Sequence, residues 1–165
     1  MGTAAYPSRL SPALPAFSLD APDGWEVVPL SGVLLAVGSP HAPGTFRPSI
    51  TVMAQRELAD TELGPIADLL LREIRTATGD VKLAGDWHGQ VGGQPARWQE
   101  FAFVEPVAKT TLFQIQVTLF APSAPDAPVK DLVQVHGTCA GRDAPRLHQT
   151  YRETISSLRF CSGDA

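Results

Sequence analysis

Residues 110–121 read TTLFQIQVTLFA, and this alternation limits what the chain can become more than any other stretch does. Phe113, Ile115, Val117 and Leu119 are interleaved with Gln114, Gln116 and Thr118. Successive side chains of a β-strand point to opposite faces, so the run is a strand with one apolar and one polar face. The segments before it carry the same signal. DVKLAGDWHGQV (80–91) and QPARWQEFAFV (94–104) flank Gly92-Gly93, the turn of a hairpin. Val81, Leu83 and Trp87 are expected on one face of the first of these strands. DLVQVHGTCA (131–140) follows a long Pro-rich loop at 122–130. Upstream, SITVMA (49–54) turns Ile50, Val52 and Ala54 one way, and GVLLAVG (32–38) reads as a short buried strand. FSLDAPDGW (17–25) reads as a short strand, a turn at Pro22-Asp23-Gly24 and a restart at Trp25, and 39–48 is a Pro/Gly loop.

Two segments change period. Ile66, Leu69, Leu70, Ile74 and Ala77 recur at helical spacing. Thr61 is placed to cap that helix, Pro65 falls in its first turn, Asp68 and Arg72 are spaced to pair, and Gly79 ends it. APRLHQTYRETISSLRF carries a second apolar stripe through Leu147, Tyr151, Ile155 and Leu158, with Asp143 as its cap and Pro145 near its start. Residues 1–16 hold Pro7, Pro12 and Pro15 without periodicity and are expected to be a flexible or loosely docked arm. One domain then runs from 17 to 160, with a tail at 161–165.

A 165-residue chain with 44% hydrophobic and 18% charged residues has room for one buried core. Its net charge of -4 and its scattered basic residues argue against a nucleic-acid footprint, which needs clustered Lys and Arg. The N-terminus lacks the apolar run of a signal peptide, and no stretch reaches the roughly 18 apolar residues of a membrane helix. These features predict a cytoplasmic protein, not inserted in a membrane, whose two cysteines stay reduced. Export by another route would leave a Cys139–Cys161 disulfide open.

HGTCAGRDAPRLH (136–148) sets a cysteine and an aspartate between two of the four histidines. It invites a catalytic or metal reading. Strand parity opposes both. Val133 and Val135 face the core, so Cys139 does too, while His136 points to the other face. A nucleophilic cysteine needs a base within reach and an exposed, electropositive setting. The histidines at 41, 88, 136 and 148 show none of the usual zinc spacings. GQVGGQP (89–95) lacks the lysine and helix of a phosphate loop, and no GxSxG occurs. No catalytic residue, metal site or cofactor is therefore called for. DWHG places Asp86 and His88 on one face and Trp87 on the other; the two polar residues are either solvated neighbours or an acid–base pair. In RWQEF, Arg97, Gln99 and Phe101 share a face, opposite Trp98 and Glu100. Trp98 is core if both sheet faces are covered and lines a binding surface if one is open. Asp86, His88, Arg97 and Trp98 are thus the weak ligand-binding candidates.

The order of elements resembles the PsbP-like fold, shared by PsbP, the Ran-binding Mog proteins and the bacterial LpqN-like and DcrB-like proteins. FSLDAPDGW (17–25), GQPARWQEF (93–101), the strand at 110–120 and the closing ETISSLRF (153–160) carry the resemblance. It implies an α+β domain, an antiparallel sheet with one mid-chain and one C-terminal helix packed on its faces. It also implies a non-catalytic protein that binds other proteins as an adaptor or chaperone-like factor, with a secretion-system component as one class of partner. The alternative is a small-ligand binder or enzyme with a pocket between sheet and helix, lined by Asp86, His88 or Arg97. The chain departs from the lipoprotein members in having no lipobox cysteine, and its Ala, Pro, Gly and Arg usage suits a high-GC actinobacterial genome.

Overall fold

The computed structural model describes residue 3 and residues 5–40 and 44–161. The tail beyond Cys161 and His41 lie outside the described residues. Seven strands form one antiparallel sheet in the order β2-β3-β4-β8-β7-β6-β5. They are β2 (Glu26–Val27), β3 (Leu35–Gly38), β4 (Ser49–Leu58), β5 (Val81–Val91), β6 (Gln94–Val104), β7 (Thr111–Phe120) and β8 (Val129–Ala140). A second, two-stranded sheet pairs β1 (Phe17–Ser18) with β9 (Arg159–Phe160), bringing the two ends of the domain together. Helix α1 (Leu63–Thr78) and helix α2 (Ala144–Ser156) cover opposite faces of the large sheet. The fold is α+β, as the strand and helix periodicities imply.

The apolar parity of the strands builds the main core on the α2 face. Ile50, Val52, Ile115, Val117, Val133 and Val135 pack there against Leu147, Tyr151, Ile155 and Leu158. These are the residues whose alternation and helical stripe mark them as buried. Tyr151 lies flat on β8 because residue 137 is glycine. A Cβ there would stand 2.8 Å from the ring, closer than packed carbons approach. The Tyr151 hydroxyl donates to the Thr138 carbonyl at 2.6 Å. The turn after β5 takes both its glycines at positive φ, 58° at Gly92 and 75° at Gly93, as the Gly-Gly hairpin requires.

Two local expectations are corrected. Helix α1 buries Ala67 and Leu71, while Leu69 is exposed. The helix turns this side inward because Phe101, Phe103 and Val81 offer apolar contacts to Leu71 and Ile74. Its N-cap is Glu62, without a side-chain bond, and Asp68 reaches across to Arg97 at 3.9 Å. In β5, the register shifts between Leu83 and Gly85. The extra residue, a β-bulge, reverses the parity: Leu83 sits opposite Phe101 on the α1 face, while Trp87 faces the α2 side opposite Trp98. The chain before β1 is tied at several points. Arg56 donates to Ser11 Oγ at 2.9 Å and to the Pro12 carbonyl at 2.6 Å, and Leu14 packs on the core.

Candidate functional site

Two polar clusters occupy opposite faces of the β5–β6 hairpin. The first contains three of the four residues singled out from sequence. Cross-strand register pairs His88 with Arg97 and Asp86 with Gln99, so all four share the α1 face. Arg97 donates through Nε to Asp86 and through Nη1 to His88 Nε2 at 3.0 Å. A guanidinium can only donate, so His88 presents its bare nitrogen to Arg97. Gln99 Nε2 adds a long bond to Asp86 Oδ2 at 3.4 Å. The bond from Arg97 holds the Asp86 carboxyl below its usual range, against a smaller opposing effect of burial. The same pairing raises Arg97. Asp68 brings α1 to the cluster. Arg97 thus sits between two carboxylates, Asp86 on the hairpin and Asp68 on α1, and the group works as a clasp between hairpin and helix.

Trp98 is not part of it. It is 5% exposed and stacks on Trp87 on the other face, with ring centroids 5.7 Å apart and planes 15° from parallel. Both sheet faces are covered at this point, which makes Trp98 a core residue.

The second cluster gathers around Glu100, a buried carboxylate on the same face as Trp98. Glu100 Oε1 accepts from Arg152 Nε at 2.8 Å and from His148 Nε2 at 2.9 Å. Both donors come from α2, four residues apart and hence on one side of the helix. The Arg152 guanidinium also lies 4.7 Å over the Trp87 ring. Gly85 leaves the approach open, since a Cβ there would meet Trp87 at 3.0 Å and Glu100 Oε2 at 3.6 Å. Sequence reasoning passed over this group. The signal was present: a charged residue at a buried strand parity, with a His and an Arg at helical spacing on the next apolar helix.

Cys139 is fully buried on the α2 face and His136 points to the other, so they do not converge. Burial pushes the Cys139 thiol up to about 11, which leaves it protonated and unreactive. Cys139 and the exposed Cys161 are both free thiols. Among the described residues, no three His, Cys, Asp or Glu side chains stand close enough to hold a metal ion. A surface hollow of about 670 Å³ opens beside the start of α1, between Leu63, Pro95, Phe120 and Lys130. None of the four sequence candidates lines it.

No described helix is long and apolar enough to cross a membrane. No family model matches the sequence, and no curated protein matches it. The fold does have counterparts among solved structures. LpqN, involved in cell envelope biogenesis of Mycobacterium tuberculosis, superposes with a TM-score of 0.74 at 15% identity, over 92% of this chain and 86% of that one. The cyanobacterial PsbP of Synechocystis sp. PCC 6803 gives a TM-score of 0.58 at 11% identity, over 98% and 99% of the two chains. PA94 of Pseudomonas aeruginosa, a protein of unknown function and putative regulator, gives 0.51 at 15% identity, over 84% and 98%. The fold is therefore PsbP-like, with LpqN among its structural neighbours.

Proposed function

We propose that this chain is a non-catalytic adaptor that binds another protein by adding a strand to the edge of its sheet. One observation supports this reading above others: the outer edge of the sheet is stepped. β4 has ten residues, but β3 pairs only with Ser49–Val52. Among the described residues, no strand pairs with 53–58 on that side. The Leu34 N–H donates to the Val52 carbonyl, so the backbone groups of Val52 aim toward β3. By alternation, those of Ala54 and Arg56 aim outward past its end. Beside the step, Val27, Leu30 and Leu34 are 69%, 54% and 53% exposed around a hollow of about 480 Å³. Unpaired backbone beside an apolar patch is what strand addition uses: the backbone supplies affinity and the patch supplies side-chain selectivity. The polar clusters, by contrast, are engaged with themselves.

The partner we would test first is a component of the envelope or its secretion machinery, given the described role of LpqN, with the chain itself acting from the cytoplasm. Tagged wild type and two edge variants, Ala54→Pro and Leu34→Asp, are to be crosslinked and captured from native lysate. A partner retained by wild type and by the control Val107→Asp, but lost by both edge variants, is the expected result. Equal recovery with all four proteins would remove the edge from consideration. A second reading, a small-ligand binder, draws on the 670 Å³ hollow, where Lys130 lies 4.0 Å over the Phe120 ring. A thermal-shift screen of metabolites, repeated on Phe120→Ala, tests it.

A further inference from the structure

The α1 face of the sheet contains buried polar groups that neither the edge nor the two clusters use. Its residues stand in cross-strand rows. One row runs Thr51, His136, Gln116, Gln99 and Asp86 across β4, β8, β7, β6 and β5. The next runs Met53, Gln134, Thr118, Arg97 and His88. Gln99, Gln116, Thr118 and Gln134 are all buried. What bonds they make are long: Gln116 Nε2 to Gln99 Oε1 spans 3.5 Å and Gln99 Nε2 to Asp86 Oδ2 spans 3.4 Å. Among the described residues, two atoms in these rows have no protein partner. Thr118 Oγ1 belongs to a side chain with 0% exposure. His136 is half-buried as a residue, but its Nε2 is sealed from solvent and unpaired.

The two residues are near neighbours in the sheet. His136 lies opposite Gln116 and Thr118 opposite Gln134, so His136 and Thr118 are diagonal partners on adjacent strands of one face. Diagonal side chains in an antiparallel pair stand about 7–8 Å apart at the backbone, a gap that a long side chain and one small molecule can close. Buried hydroxyls and imidazoles are almost always hydrogen-bonded, to protein or to ordered water. No charge is left unpaired in these rows: Asp86 and Arg97 engage each other. An enclosed occupant must therefore be small and uncharged, and must bond to a hydroxyl on one side and an imidazole nitrogen on the other.

We infer that one ordered water molecule lies within the α1 face, bridging Thr118 Oγ1 and His136 Nε2. It is a built internal hydration site, with Gln116 and Gln134 as its remaining corners. The water completes the polar layer and lets this face tolerate a row of glutamines where the opposite face is apolar.

The sign of one substitution tests it. Thr118→Val keeps the shape and the strand preference and removes only the hydroxyl. With a bridging water, the variant strands both the water and His136, and its thermal midpoint falls by about 3–6 °C at pH 7.5. In a His136→Leu background the water has already lost a partner, and the same substitution shifts the midpoint by less than half as much. If the hydroxyl is simply unpaired, Thr118→Val removes a buried polar burden. The midpoint then stays or rises, equally in both backgrounds, and the proposal fails. A crystal structure of the wild-type protein gives a reading that no variant's folding can confuse. A solvent peak within hydrogen-bond distance of both atoms supports the site, and clear density without one overturns it.

Discussion

On the α2 face of the sheet, Ile50, Val52, Val117 and Val135 are sealed among apolar side chains of α2. On the α1 face the same strands turn Gln99, Gln116, Thr118 and Gln134 inward, and α1 buries only Ala67 and Leu71. One sheet thus carries two kinds of interior. The apolar side gains free energy from area removed from water, while the polar side gains little per group and loses heavily wherever a group is left unpaired. Such a division puts stability on α2 and leaves α1 held by a small cluster of Leu71, Val81 and Phe101 plus the Asp68–Arg97 ion pair.

The largest expected effect sharpens this contrast. Ile155→Ala removes a fully buried side chain from the centre of the α2 core and is expected to cost about 4 kcal/mol. Leu71→Ala on α1 is expected to cost about 2 kcal/mol, since its cluster is smaller and nearer the surface. Urea unfolding of both variants measures the difference, and equal costs would break the comparison.

The next effect belongs to the polar face and depends on pH. Burial lowers His136 from 6.5 to about 4. The unfolded chain therefore takes up a proton that the native state refuses. Stability present above pH 6.5 is lost as pH falls toward 4, and the loss levels off below that. It amounts to at most about 3 kcal/mol across the window, and to less in so far as a water bonded to Nε2 solvates the imidazole. Unfolding curves between pH 7.5 and 4 should show this slope in the wild type and a much flatter one in His136→Gln.

Glu100→Gln comes third. It keeps the shape but removes the charge that Arg152 and His148 hold, at an expected cost of about 2 kcal/mol. Arg152 is 39% exposed and recovers part of its hydration, which keeps the loss below that of a fully buried pair. The smallest effect is that of Arg97→Ala. Its pairs lie near the surface, so unfolding at neutral pH should change by less than about 1 kcal/mol. Asp86 titrates below the ordinary carboxylate value of 3.8 because of Arg97. The clasp's contribution is present above that value and is lost as pH falls through the depressed one. That window lies below the one set by His136, so acid titration of the two variants separates the clasp from the buried imidazole.

Much of this was legible in the chain. Alternation in TTLFQIQVTLFA fixed which residues of β7 share a face, the Gly92-Gly93 pair fixed the hairpin, and Leu147, Tyr151 and Ile155 fixed the buried side of α2. Parity also separated Cys139 from His136 and joined Asp86 with His88. These properties are local: they follow from backbone geometry repeating every two or every 3.6 residues. Tertiary structure decided the rest. Gln116 and Thr118 have the polar pattern of a solvated face, yet they are buried because α1, some forty residues earlier in the chain, lies across their strand. The bulge between Leu83 and Gly85 moved Leu83 away from Trp87's face. Glu100 found its partners on a helix some fifty residues later. The amino-acid sequence by itself determined the faces of each strand and helix. What covers each face, and so whether a polar residue meets water, a partner or neither, depended on segments that only folding brings together.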